Sequence, residues 1–329
     1  MKKVLILSNS LDIHADVVEL ALKKTGADAL RINTDKFFSD KVELIFTNQS
    51  SEKSGIVVNG VWCAFNQIMS ILYRRPENLE IVVSNAYQKD FAEKELEELL
   101  KQIYFCSDDI LYVSKYHALD AARRKFPQLK IAEKFNMRTP KTLITNSVGE
   151  IKKFFMKCKG KIIYKTLKSP VIKPMEGPEL WGVPTTLVSC EHLKRIDLIR
   201  NTGGIFQEYI EKDYEVRVTV IGNDVFAAKI NSQTDASGKI DWRDAVAKGL
   251  VKVEPYDLPE IVVRQCKSII ADYGLNFGAI DLILTPEKEY VFLEINCNGQ
   301  WLWVEDLTNQ PLIDSMVGLL IKTRSSLVR

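Results

Sequence analysis

The chain has 329 residues, 46% of them hydrophobic, and its 45 basic and 43 acidic side chains leave a net charge of only +2. That length suffices for two or three packed domains, and so balanced a charge supplies no global field to draw the protein to nucleic acid or to a membrane surface. No run approaches the roughly 18 uncharged apolar residues of a membrane span, the apolar stretch after Lys3 is too short for a signal peptide, and six scattered cysteines without a C-x-x-C pair suit a reducing cytoplasm rather than a zinc or disulfide scaffold.

The chain opens as β-α-β. Residues 4–7 read as an apolar strand, 16–24 carry helical spacing through Val17, Val18, Leu20 and Ala21, and 29–32 read as the next strand. The first turn, Ser8-Asn9-Ser10, holds no G-x-G-x-x-G, which excludes the pyrophosphate grip of nicotinamide enzymes from this unit. Strands are expected at 41–46, 55–58 and 71–73, the last running into Tyr73-Arg74-Arg75-Pro76, where two arginines at a strand end can meet a phosphate or carboxylate or simply lie on the surface. A helix over 86–102 follows, with Lys89, Glu93, Lys94, Glu97 and Glu98 on a solvated face. His14, His117 and His192 stand far apart without H-E-x-x-H spacing, and no G-x-S-x-G elbow occurs, so the histidines read as surface or capping residues.

A boundary falls near 107–114. Beyond it a basic helix is expected over 115–134, whose Arg123-Arg124-Lys125 lacks the interleaved aromatics of a nucleic-acid platform. From residue 162 the order is strand, Pro- and Gly-rich loop over 169–184, helix, strand over 204–210 and a long hairpin, which suits a small sheet with helices on one side. The expected domains are 1–113, 114–203 and 204–329.

The chemistry concentrates in 278–303. Residues 278–284 and 289–296 are strand-like runs joined by Thr285-Pro286-Glu287-Lys288. With those four as the loop, Leu284 faces Glu289, and alternation puts Asp281, Glu294 and Asn296 on one face amid Ile280, Leu282, Leu293 and Ile295. Two carboxylates and an amide oxygen so placed demand a hard cation, and Mg2+, which keeps waters and substrate phosphates in its shell, implies a nucleotide as well.

This D…E-x-N pattern on adjacent strands resembles the C-terminal signature of ATP-grasp enzymes, in which those residues hold magnesium. The following Cys297-Asn298-Gly299-Gln300-Trp301-Leu302-Trp303-Val304-Glu305-Asp306-Leu307-Thr308 resembles one branch, the graspetide ligases that cyclise microviridin-type precursor peptides, with Cys297 where that branch usually has proline. Tyr73-Arg74-Arg75-Pro76, Pro140-Lys141-Thr142-Leu143-Ile144-Thr145, Glu215-Val216-Arg217-Val218-Thr219-Val220 and Asp241-Trp242-Arg243 also look like family segments. The resemblance implies an ATP-grasp fold of α/β and α+β parts, with an N-terminal α/β (pre-ATP-grasp) domain, a central domain and a C-terminal domain. It further implies ATP and Mg2+ as cofactors, a leader-plus-core precursor peptide as partner, a homodimer, and ester or amide cross-linking of side chains through an acyl phosphate. Another ATP-grasp ligation, of an amino acid or glutamate to a different carboxylate, is the alternative.

By the same resemblance Lys165 and Lys125 contact the ATP phosphates, with Lys115 and Lys130 as alternatives to Lys125, while Glu208, Tyr209 and Ile210 form the hinge that reads adenine. In the hairpin over 215–230 a three-residue loop, Gly222-Asn223-Asp224, sets Arg217 opposite Lys229, two cations that need an anion between them. Lys229 is therefore assigned to the triphosphate and Arg217 to the phosphate or acyl phosphate, while Arg243 is expected to reach in from a loop within 232–248. The segment 175–190, with Leu180, Trp181 and Val183, is a candidate leader-binding surface.

Overall fold

Strand β1 (Lys3–Ser8) is apolar on both faces, as a parallel strand covered on both sides must be. The computed structural model describes residues 2–49, 53–76, 79, 81, 85–168, 171–172 and 181–322. Asp12 caps α1 (Ile13–Lys24) by accepting from the His14 N–H, and β2 (Asp28–Asn33) returns beside β1. A small antiparallel sheet of β3 (Glu43–Ile45), β4 (Gly55–Val58) and β5 (Val61–Ala64) precedes β6 (Ile68–Tyr73), α2 (Ala86–Lys101) and β7 (Leu111–Val113). The main sheet has the order β2-β1-β6-β7, all parallel.

The helix expected over 115–134 is two: α3 (Tyr116–Ala122) and α4 (Lys125–Lys134). Pro127 explains the break. Its ring would collide with the carbonyl four residues back in a continuous helix, but it is accommodated in the first turn of a new one. Leu119, Ala122, Leu129 and Ala132 pack into one core with Val216, Val218, Ile280 and Leu282, so these helices join the C-terminal sheet rather than the central one.

The central sheet is antiparallel, in the order β12-β9-β13-β8. Its elements are β8 (Thr142–Thr145), α5 (Val148–Lys157), β9 (Ile162–Lys165), the short pair β10 (Val171–Ile172) and β11 (Trp181–Gly182), β12 (Thr186–Leu187), α6 (Cys190–Lys194) and β13 (Gly204–Glu208). Residues 175–180 of the candidate leader surface, Leu180 among them, lie outside the described residues, as does the side chain of Trp181.

The C-terminal sheet has the order β16-β15-β14-β17-β18 and is antiparallel throughout. It comprises β14 (Tyr214–Ile221), β15 (Asp224–Ile230), β16 (Val253–Pro255), β17 (Phe277–Leu284) and β18 (Tyr290–Asn296), with α7 (Trp242–Ala247), α8 (Glu260–Asp272), α9 (Leu302–Thr308) and α10 (Leu312–Ile321) around it. Two registers differ from the sequence expectation. The β14–β15 turn has two residues, Gly222-Asn223, with Gly222 at φ +56°, so Arg217 pairs with Ala228 and Lys229 with Val216. Leu284 pairs with Tyr290, and a bulge at Leu293 then resets the ladder so that Asp281 lies directly opposite Glu294.

Edge strand β18 is closed by the α4 segment. The buried Gln128 donates from Nε2 to the Ile295 carbonyl at 3.0 Å and accepts the Ile295 N–H at 2.9 Å, and the Arg138 carbonyl accepts the Phe292 N–H at 2.8 Å. In turn α9 and α10 lie between the two sheets: Leu312, Met316 and Leu320, with Trp301 just before α9, pack with Val4, Ile6 and Val18 of the first domain and with Ile221, Ala228 and Phe277 of the C-terminal sheet.

Candidate active site

Asp281 on β17 and Glu294 and Asn296 on β18 share one sheet face because the bulge at Leu293 offsets the one-residue shift at the turn. Asn296 Nδ2 donates to Asp281 Oδ2 at 3.1 Å and to Glu294 Oε1 at 3.2 Å, so the three are in mutual contact. The set is oxygen-rich and free of sulfur or imidazole, which fits Mg2+ and not a softer metal. Among the described residues no cluster of three His, Cys, Asp or Glu side chains forms a more complete cation site.

Four cations surround these oxygens. Lys125, at the start of α4, places Nζ 2.6 Å from Glu294 Oε2, and Arg243 Nη2 donates to Glu294 Oε1 at 2.8 Å. The buried Arg217 donates to Asp281 Oδ1 at 2.7 Å and to the Gln300 carbonyl at 3.2 Å. Burial alone would raise the Glu294 carboxyl, but Lys125, Lys165 and Arg243 outweigh it and hold the group well below the usual carboxylate range. Burial likewise pulls the Arg243 guanidinium down, and Asp281, Glu294 and Asp241 overcome it, leaving the group above its ordinary value. For Lys165 burial wins and its ammonium falls below the ordinary lysine value, against the pull of Glu294. Cations and carboxylates so arranged form a polar network able to trade partners when a triphosphate enters.

Of the hinge residues, Glu208 ends β13 and bonds Lys141 Nζ at 3.2 Å, while Tyr209 and the buried Ile210 follow it. With Ile163, Lys165 and Leu293 they line a narrow crevice of about 40 Å³ that reaches Glu294. Arg243 lies in the first turn of α7, capped by Asp241, rather than in a loop, and its Nη1 also bonds Asp241 at 2.9 Å.

Lys229 is misassigned by the sequence. The two-residue turn shifts it by one position, putting it on the opposite sheet face from Arg217, where its Nζ sits 4.4 Å from the Tyr214 ring centroid. It takes no part in this site. Neither Lys115, which pairs with Asp108, nor Lys130, which pairs with Glu133, reaches the carboxylates, so Lys125 is the α3–α4 lysine that does. Arg75, one of the two strand-end arginines the sequence left open as a phosphate or carboxylate contact, lines this cleft; Arg123 and Arg124, which line it too, were missed, because nothing local reveals which way that basic pair faces. Of the two readings offered for His14, surface or capping, burial excludes the first, and the second holds: its Nε2 accepts the Trp301 and Leu302 N–H groups at the start of α9.

Beside the carboxylates opens a cavity of about 1360 Å³, bounded by Arg75, Arg123, Lys125, Arg217, Trp242, Arg243, Asn296 and Trp303. Residues 3–117 match the profile described as the MvdD pre-ATP grasp domain, and residues 122–316 match that of the RimK-like ATP-grasp domain. The chain belongs to the RimK-like ATP-grasp family. This ATP-grasp ligase binds ATP and carries the mixed α/β fold of that family. It is 28% identical to the macrocyclase MdnC of Microcystis aeruginosa MRC, solved with the precursor peptide MdnA; the match has a TM-score of 0.85 and covers 97% of this chain and 99% of that one. It is also 28% identical, with a TM-score of 0.84 over 97% of this chain and 96% of the other, to a RiPP-associated ATP-grasp ligase of Chryseobacterium gregarium solved with ADP, leader and core peptide. Tetrahydromethanopterin:alpha-L-glutamate ligase of Methanocaldococcus jannaschii is 23% identical over 235 residues, 67% of this chain and 75% of the relative.

Proposed function

We propose that this ligase joins Asp or Glu side chains of a ribosomally made precursor peptide to Ser, Thr or Lys side chains, forming ester or amide macrocycles. The observation that carries this reading is the cavity beside Glu294 and Asn296. At about 1360 Å³ it is too wide for a small amino acid, and its wall carries Arg75, Arg123, Arg124 and Lys168 beside Asp120 and Asp306, together with Lys125, Arg217 and Arg243, which pair with Glu294 and Asp281. An acidic peptide segment complements such a wall. The likeness to MdnC and to the Chryseobacterium ligase, both solved with peptides, supports it.

In this mechanism Asp281, Glu294 and Asn296 hold Mg2+, which screens the triphosphate and its developing charge. Lys165 and Lys125 bind the α and β phosphates, and Glu208, Tyr209 and Ile210 seat the adenine. A substrate carboxylate oxygen attacks the γ-phosphorus and the bond to the ADP oxygen breaks, giving an acyl phosphate. Arg217 and Arg243 neutralise the transferred group. A substrate hydroxyl or amine then attacks the acyl carbon, loses its proton and expels phosphate. Positioning and charge suffice, so no protein nucleophile is needed.

Amino-acid ligation, favoured by the Methanocaldococcus relative, would use the same phosphate chemistry but leave most of the cavity unfilled. We place the enzyme in the cytoplasm, where its six free cysteines stay reduced, and no helix among the described residues is long and apolar enough to cross a membrane. A homodimer is the assembly we expect from the family resemblance. The test is ADP release with and without a candidate precursor peptide. Release should depend on that peptide, and equal release without it would contradict the proposal.

A further inference from the structure

Three buried side chains of the first domain converge on a loop of the last. Asp12, His14 and Arg74 are each less than a tenth exposed. His14 Nε2 accepts the backbone N–H of Trp301 at 3.1 Å and of Leu302 at 3.3 Å, so that nitrogen carries a lone pair and the ring proton sits on Nδ1, 3.4 Å from Asp12 Oδ1. Asp12 is held in turn by the Ser8 hydroxyl at 2.6 Å and faces Arg74 Nε at 3.4 Å. Arg74 Nη1 then donates to the Gly299 carbonyl at 3.2 Å. The His14 and Trp301 rings also meet edge to face, 5.3 Å between centroids.

The far side of the same loop faces the candidate active site. The Gln300 carbonyl accepts from Arg217 Nη2 at 3.2 Å, while Arg217 Nη1 bonds Asp281. Gly299 is packed so closely that a Cβ there would lie 2.9 Å from Arg217 Nη2 and 3.1 Å from Asn296 Cβ. Four consecutive residues, 299–302, therefore lie between an acid–imidazole–guanidinium grip on one side and the Arg217–Asp281 pair on the other. Burial lowers the His14 imidazole, with Asp12 opposing, which keeps the ring neutral and its Nε2 an acceptor.

We propose that Asp12, His14 and Arg74 are positioning residues through which the first domain fixes loop 299–302 and thereby aims Arg217 at the transferred phosphate. The second half rests on the Arg217 role proposed above. Neither side of the grip touches the hinge or Lys165, so the effect falls on the terminal phosphate and spares the rest of the nucleotide.

Two conservative substitutions separate the two ring nitrogens. His14→Asn keeps a donor toward Asp12 but is too short to reach the loop, and His14→Gln keeps an acceptor at the place of Nε2. The full-length enzyme is examined by amide hydrogen exchange and by calorimetry with Mg-ADP and with the non-hydrolysable analogue Mg-AMPPNP. In His14→Asn, exchange at Trp301 and Leu302 should quicken about tenfold and the preference for Mg-AMPPNP over Mg-ADP should fall about fivefold, with Mg-ADP affinity held within about twofold. His14→Gln should stay close to wild type in all three. Unchanged exchange in His14→Asn overturns the grip. Quicker exchange with an unchanged preference, or His14→Gln behaving like His14→Asn, overturns the positioning of Arg217. Arg217→Ala should abolish the preference by itself; if it does not, the phosphate role of Arg217 falls and the aiming with it, while the exchange rates still decide the grip.

Discussion

Glu294 stands where the site's charges meet: Lys125, Arg243 and Asn296 all bond it, and Lys165 adds to the field that keeps it ionised. Glu294→Gln keeps the shape and removes the charge, and Asn296→Ala removes a neutral oxygen. Each should lower ATP-dependent ligation by about a hundredfold or more with an unchanged circular dichroism spectrum, and near-normal turnover in both would refute their metal role. Lys165→Ala should weaken Mg-ADP binding about tenfold in calorimetry, since a cation at reduced hydration cost is lost from the phosphate site; unchanged affinity would remove it. At this scale the sequence was informative through alternation. A period of two within adjacent strands places Asp281, Glu294 and Asn296 together only in the expected register; the hairpin pairs one residue out of that register, and the bulge at Leu293 compensates and returns the three to a common face. Lys229 fails because its face depends on whether a turn has two residues or three.

Among the elements, β18 carries two of the metal-binding candidates on a sheet edge, and α4 rather than another strand completes its ladder through the Gln128 amide. Gln128→Leu would strand the Ile295 N–H and carbonyl in a buried place, and we expect a loss of about 1–3 kcal/mol in denaturant unfolding. Stability within experimental error of wild type would show that the edge needs no such partner. Nothing local in the sequence marks this glutamine. The break between α3 and α4 was missed in reading one helix over 115–134, although Pro127, which belongs in the first turn of a helix, carried the local signal for it. In the first domain β1, α1, β2, β3, β4, β6 and α2 were readable from apolar runs and turn residues, whereas β5 was not read and β7 falls in the segment taken as a boundary, and the placement of α3 and α4 on the C-terminal sheet rests on long-range packing.

Across the whole molecule, the first and last domains are tied by α9 and α10 and by the neutral His14, which is faced by Asp12, Arg74 and Arg75. Its folded pKa is depressed, so below the ordinary value of 6.5 the unfolded chain binds the extra proton and the folded chain does not. Stability from this group is thus present above about pH 6.5 and declines as the pH falls below it, and the melting temperature of wild type should drop more steeply from about pH 7.5 to 5.5 than that of His14→Gln. Parallel curves would exclude His14 as a source. Function at this scale was legible only through resemblance, since residues 297–308 pointed to the branch while the cationic cavity is assembled from arginines spread between positions 75 and 243. The most direct measurement is the mass of a candidate precursor peptide after incubation with enzyme and Mg-ATP. The account predicts loss of one water per bond formed, matched by ADP and phosphate; ADP release with an unaltered peptide, or gain of an added amino acid, would contradict it.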